Sequence, residues 1–191
     1  MNYLAHLFLA DDTPESLIGN LLGDFVKGRA KEQYSNFIQR GIELHRKVDF
    51  YTDSHQVVRN AKQLVSLPRR RYAGILLDMF YDHFLANHWQ DYSQTKLNNF
   101  TEKVYAVLLQ NQTILPDKLR IILPLIIGQD LLGSYQEIDG IDRALKRIAP
   151  RLRNGEIFAS GIEELQAHYK EFDLSFQDFF PDLVRYVRAQ R

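Results

Sequence analysis

The sequence predicts an all-α fold, and three observations carry that prediction. Apolar residues recur at three- and four-residue spacing through most of the 191 positions. No run alternates apolar and polar residues as a half-buried strand would. The periodic segments are also bounded by residues that start and stop helices. A chain of this length can bury a substantial core as one unit, so residues 1–191 are read as a single helical domain.

The first well-marked helix opens at "DDTPES", where Thr13 can cap, Pro14 suits the first helical position and Glu15 suits the positive end of the dipole. Leu17, Ile18, Leu21, Leu22, Phe25 and Val26 form its stripe, with Asp24 on the edge and Gly28 as the stop. A second helix is expected roughly from Gln33 to Tyr51, with Tyr34, Phe37, Ile38, Ile42, Leu44 and Val48 as its apolar face. His45 and Asp49 fall inside that face, one turn apart. A short helix through Val57, Ala61 and Leu64 ends before Pro68, and "RRRYAGILLDMFYDHFLANHW" then predicts a long central helix that is apolar nearly all round. On it Asp78 and Asp82 share one side with Leu85 and Trp89, while His83 points about 100° away. Downstream, "FTEKVYAVLL", "PDKLRIILPLIIGQDLL" and "IDRALKRIAPRL" read as helices, the second bent at Pro124. A last helical region starting at "IEELQAHYK" is expected to be interrupted near Leu174 and Pro181.

Composition narrows the chemistry. Basic and acidic residues balance at 24 each, so no global field favours nucleic acid or an anionic membrane. There is no cysteine, which removes disulfides, thiolate metal sites and cysteine nucleophiles. "MNYLAHLFLADD" lacks a basic leader and a cleavage site, and no segment reaches membrane-spanning length. The expectation is a soluble cytoplasmic protein with neither a membrane nor a nucleic-acid partner.

Polar residues intrude on the apolar faces of three helices: Asp24 in the first, His45 and Asp49 in the second, Asp78, Asp82 and His83 in the long one. Buried carboxylates without matching cations repel one another, and a divalent cation resolves the conflict. Oxygen and imidazole donors without thiolate suit Mg²⁺, Mn²⁺, Fe²⁺ or Zn²⁺, and a carboxylate-rich set leans towards Mn²⁺ or Mg²⁺. Each residue also has a plainer reading. His6 taken alone is a packing histidine, Asp24 an edge carboxylate, His45 with Asp49 an internal hydrogen-bonded pair, and His88 a cap or surface residue.

No Gly-rich phosphate loop, G-x-S-x-G elbow, H-E-x-x-H pair or paired E-x-x-H motif is present. Metal-assisted hydrolysis of a phosphate ester fits best, with the ion polarising a phosphoryl oxygen and Asp49 positioning the attacking water. Arg46, Arg69, Arg70 and Arg71 are candidates for holding a phosphate or an acidic protein. The later run Arg143, Lys146, Arg147, Arg151 and Arg153 reads as an amphipathic helix surface.

"MNYLAHLFLA", "GNLLGDFVKG", "GIELHRKVDFYTD" and "LLDMFYDHFLANHW", in this order, with "TILPD" and "AHY" further on, resemble the bacterial acyl carrier protein phosphodiesterase family. That family is described as a distant relative of the all-α HD phosphohydrolases, which implies an HD-like bundle. The resemblance implies hydrolysis of holo acyl carrier protein to the apo protein and 4′-phosphopantetheine, supported by Mn²⁺, Mg²⁺ or a similar divalent ion. It implies Asp24, His45 and Asp49 as catalytic residues and Asp24, His45, Asp78, Asp82 and His83 as the set that holds the ion. The adjacent pair reads Asp82-His83, the reverse of the HD order, so the HD ligand set does not carry over residue by residue. Acyl carrier proteins are small and acidic, so Arg69 to Arg71 and the basic residues near Asp24 and His45 are expected to steer one in. Two other readings stay open: an HD-like phosphohydrolase of a nucleotide or other small phosphoester, and a non-catalytic helical module that binds acyl carrier protein.

Overall fold

Thr13 and Ser35 start the two helices that position the site. In the computed structural model, which describes residues 1–190, the Thr13 hydroxyl accepts the Ser16 N–H at the head of one helix and the Ser35 hydroxyl accepts the Ile38 N–H at the head of the other. Among the described residues all regular structure is helical, in the order α1 (Tyr3–Phe8), α2 (Pro14–Leu22), α3 (Asn36–Ser54), α4 (Gln56–Lys62), α5 (Ala73–Asn87), α6 (Trp89–Tyr92), α7 (Leu97–Gln110), α8 (Asp117–Gly128), α9 (Ile138–Ile148), α10 (Gly155–Ala159), α11 (Ile162–Ala167) and α12 (Tyr169–Arg188). None of these helices is long and apolar enough to cross a membrane.

α2 and α3 touch backbone to backbone. A Cβ on Gly19 would lie 2.3 Å from the Ile38 carbonyl oxygen and 2.8 Å from the Gly41 Cα, and a Cβ on Gly41 would lie 2.8 Å from the Gly19 Cα. Glycine at both positions therefore sets the spacing of the two helices. α5 is central, as its all-round apolar pattern predicts, with Leu76, Leu77, Met79, Phe80, Tyr81, Phe84, Leu85 and Ala86 buried. α12 lies against it through ring contacts such as Phe80 with Phe172, centroids 5.3 Å apart, and Tyr81 with Phe176, 5.8 Å apart.

The structure corrects two expected boundaries. α2 ends at Leu22 rather than at Gly28, so Asp24 sits in the turn after the helix; Gly28, at φ 56°, opens the 3-10 segment Gly28–Gln33. α12 runs unbroken through Leu174 and Pro181, and the break falls earlier, at His168. Phe172, Phe176, Phe179, Phe180, Leu183 and Val187 form one buried stripe on both sides of the proline, and that packing outweighs the lost backbone hydrogen bond.

Candidate metal centre

Two helices and a turn supply the cluster. α1 contributes His6, the turn after α2 contributes Asp24, and α3 contributes His45 and Asp49 one turn apart. Ring nitrogens of His6 and His45 and a carboxylate oxygen of Asp49 lie within 4.8 Å of one another. The two imidazoles stack face to face, with centroids 3.6 Å apart and planes at 15°. His6 Nε2 lies 3.1 Å from Asp49 Oδ1, and His45 Nε2 lies 3.1 Å from Asp49 Oδ2 and 3.5 Å from Asp24 Oδ1. Gly23 makes the close fit possible, because a Cβ there would come within 2.2 Å of the His45 ring.

Second contacts fix the rings. His45 Nδ1 lies 2.7 Å from the Asn20 carbonyl oxygen, which can only accept, so Nδ1 carries a proton and Nε2 is the atom turned to the carboxylates. Burial works against charge on His45, but hydrogen bonds to Asp24 and Asp49 outweigh it and hold the imidazole up at about 9. Burial pushes His6 down to about 4, only partly offset by Asp49, so it is neutral. Burial also opposes the charge on Asp49, yet the hydrogen bonds from His45 and His6 hold that carboxyl well below the usual range. The cluster does not satisfy itself: the buried His6 Nδ1 and Asn20 Oδ1 have no hydrogen-bond partner among the described residues. Two imidazoles and converging carboxylates form a donor set that a first-row divalent ion accepts, and the Asn20 carbonyl supplies the kind of outer contact that orients a ligating histidine.

Asp24, His45 and Asp49, singled out in the sequence, thus come together. Asp78 reaches the cluster indirectly, through the Met1 α-ammonium, which lies 2.9 Å from Asp78 and 3.6 Å from Asp49. Asp82 and His83 are placed on other partners. Asp82 accepts the Leu4 N–H at 2.7 Å and the Ala5 N–H at 3.2 Å, capping α1 from a distance, since Asn2 at the cap position makes no capping bond of its own. Burial pushes the Asp82 carboxyl up to about 7 despite those two bonds. His83 faces the Tyr135 carbonyl oxygen at 2.8 Å and the Tyr169 hydroxyl at 3.0 Å, and burial lowers its pKa.

The arginines divide likewise. Arg46 donates to the Val26 carbonyl oxygen at 2.9 Å and so ties α3 to the turn that carries Asp24. Arg69 donates to Ile157, Ser160, Glu163 and Glu164, Arg70 to Val65 and Gln63, and Arg71 to Tyr72 and the Arg153 carbonyl oxygen. His6, read alone as a packing residue, is the member of the cluster that the pattern did not assign. Its signal was its position as the one imidazole in "NYLAHLFLA", on a short helix with no polar face.

Comparison with known proteins agrees with the motifs. The profile of the acyl carrier protein phosphodiesterase family matches residues 1–183. The chain is 33% identical over 192 residues to an acyl carrier protein phosphodiesterase of Pectobacterium atrosepticum, covering all of both chains. It is 35% identical to one of Photorhabdus laumondii subsp. laumondii over 96% of this chain and 93% of the other. It is 36% identical to one of Escherichia coli O6:H1 over 96% of each. No solved structure matches the chain. A chain that pairs an all-α fold with this degree of full-length likeness belongs to the acyl carrier protein phosphodiesterase family.

Proposed function

We propose that the protein is a divalent-metal-dependent phosphodiesterase that hydrolyses holo acyl carrier protein to the apo protein and 4′-phosphopantetheine. The observation that carries the metal part is the convergence of His6, His45 and Asp49 within 4.8 Å, with Asp24 beside His45. These residues would hold an ion of the Mn²⁺ or Mg²⁺ kind, with Asp78 close by. The chemistry such an ion supplies when bound is polarisation of a phosphoryl oxygen and a lowered pKa for water.

The chain's own groups do the rest. Asp49 is held by both imidazoles, which suits a fixed ligand better than a proton acceptor. Asp24 is 48% exposed with a single contact at 3.5 Å, so it is the carboxylate placed to take a proton from water attacking phosphorus. The P–O bond to the carrier serine then breaks, and the serine oxygen leaves with a proton.

Intact-mass measurement of holo acyl carrier protein incubated with the purified protein tests this reading. Loss of the prosthetic group is expected with Mn²⁺ present and not after EDTA treatment. Unchanged carrier mass in both samples rules out the reaction, and equal turnover in both rules out the metal.

A further inference from the structure

The connection between α2 and α3 lines a cavity next to the cluster. Gly19 meets Gly41 and Gly23 meets the His45 ring, so the two helices run side by side in the same direction, and the chain after Gly23 has to return to the head of α3. That return does not close flat on the helices. Together with Ile18, Ile38 and residues 113–117, the "TILPD" motif for which the reaction above has no use, it borders a cavity of about 750 Å³. That volume falls within the range of small-molecule sites.

One end of the cavity is tied to the cluster. Phe25 and Val26 line it and follow Asp24 directly, so at most about 7 Å of backbone separates Asp24 from Val26. The Val26 carbonyl oxygen accepts from Arg46, the neighbour of His45 on α3, at 2.9 Å. From there the cavity extends away from the cluster, because Ile38 lines it and stands about 10 Å before His45 along the α3 axis. Its lining leaves no cation unpaired: Arg120 donates to Asp117 at 2.6 Å, and the one other charged side chain there, Glu15, is acidic. Gln33, Asn111 and Thr113 add amide and hydroxyl groups to the apolar walls.

We propose that this cavity holds the pantetheine arm of the substrate while the phosphodiester lies at the cluster. The inference rests on the phosphodiester reading above. A nucleotide or a second phosphate would need a free Lys or Arg in the walls, whereas an uncharged chain of methylene and amide groups matches apolar walls with a few amide and hydroxyl partners. Seating that chain along the cavity fixes the direction from which the phosphodiester reaches Asp24.

Calorimetry on the Mn²⁺-loaded protein tests it, comparing 4′-phosphopantetheine with inorganic phosphate. Wild type is expected to bind 4′-phosphopantetheine about tenfold or more tightly than phosphate, the effect of burying at least two methylene groups. Ala30→Trp, which fills the cavity from an exposed position on the 3-10 segment Gly28–Gln33, should abolish that preference and leave phosphate binding and Mn²⁺ content unchanged. Ile114→Asp, on a different segment of the lining, carries the same expectation should the tryptophan variant fail to fold, and Ile121→Ala, exposed on α8 outside the cavity, should match wild type. Equal binding of the two ligands by wild type, no binding of either, or a preference retained by the folded cavity variants overturns the proposal. If the preference is lost as expected but holo acyl carrier protein is never cleaved, the arm site stands and the proposed reaction falls; cleavage with the preference untouched removes the arm site alone.

Discussion

Two regions set histidine beside aspartate in apolar surroundings, and they differ in how completely they are satisfied. On α5, each oxygen of Asp82 accepts a backbone N–H and each ring nitrogen of His83 has an oxygen partner. In the cluster from α1, the turn after α2 and α3, two imidazoles stack, Asp49 is shared between them, Asp24 adds a second carboxylate, and buried His6 Nδ1 has no hydrogen-bond partner among the described residues. Saturated polar groups stabilise a fold, whereas converging groups with unmet bonding capacity are poised for a ligand. The two regions are also connected, because Asp82 caps the helix that carries His6.

The largest expected effect comes from replacing a cluster residue. His45→Ala should lower turnover of holo acyl carrier protein on the order of a thousandfold, the several kcal/mol of charge stabilisation that an ion contributes, and should cut Mn²⁺ content while the protein stays folded. Full Mn²⁺ retention by that variant would break the contrast. Asp82→Ala should act the other way, costing about 2–3 kcal/mol of stability by leaving two N–H groups of α1 unpaired, with Mn²⁺ content per folded molecule retained. Denaturant titration and metal analysis on the same sample read both outcomes.

A further expected effect concerns pH. Asp82 is raised from the ordinary 3.8 to about 7, so the folded state binds more protons across that interval and wild-type stability declines as pH rises through it. Asp82→Asn keeps an oxygen acceptor without the charge, so its stability relative to wild type should improve steadily between those pH values in urea titrations. A flat difference would mean that Asp82 ionises in the folded protein as readily as in the unfolded chain.

The helical class, the Thr13 cap of α2 and the central place of α5 were legible because they follow from local periodicity and capping chemistry. So was the pairing of His45 with Asp49, since a helix fixes that neighbourhood. The partners of Asp82 and His83 were not, because they come from residues 77 and 78 positions away in one case and 52 and 86 in the other. His6 was hidden for a related reason. Its role depends on α1 lying across α5 and beside α3, and no periodicity within nine residues encodes that. The early end of α2 reflects the fit of Gly23 against the His45 ring, a long-range contact that the continuous apolar stripe through Val26 conceals.

The glycine seam between α2 and α3 has a mechanical consequence. Most helix pairs absorb a larger residue by turning a side chain aside, but here main chain meets main chain, so no rotamer can yield. Any added atom at position 19 or 41 must be taken up as movement of one whole helix against the other. That movement would carry His45 on α3 and Asp24 after α2 relative to each other, so the spacing of the cluster is set by two residues that have no side chains and touch none of it.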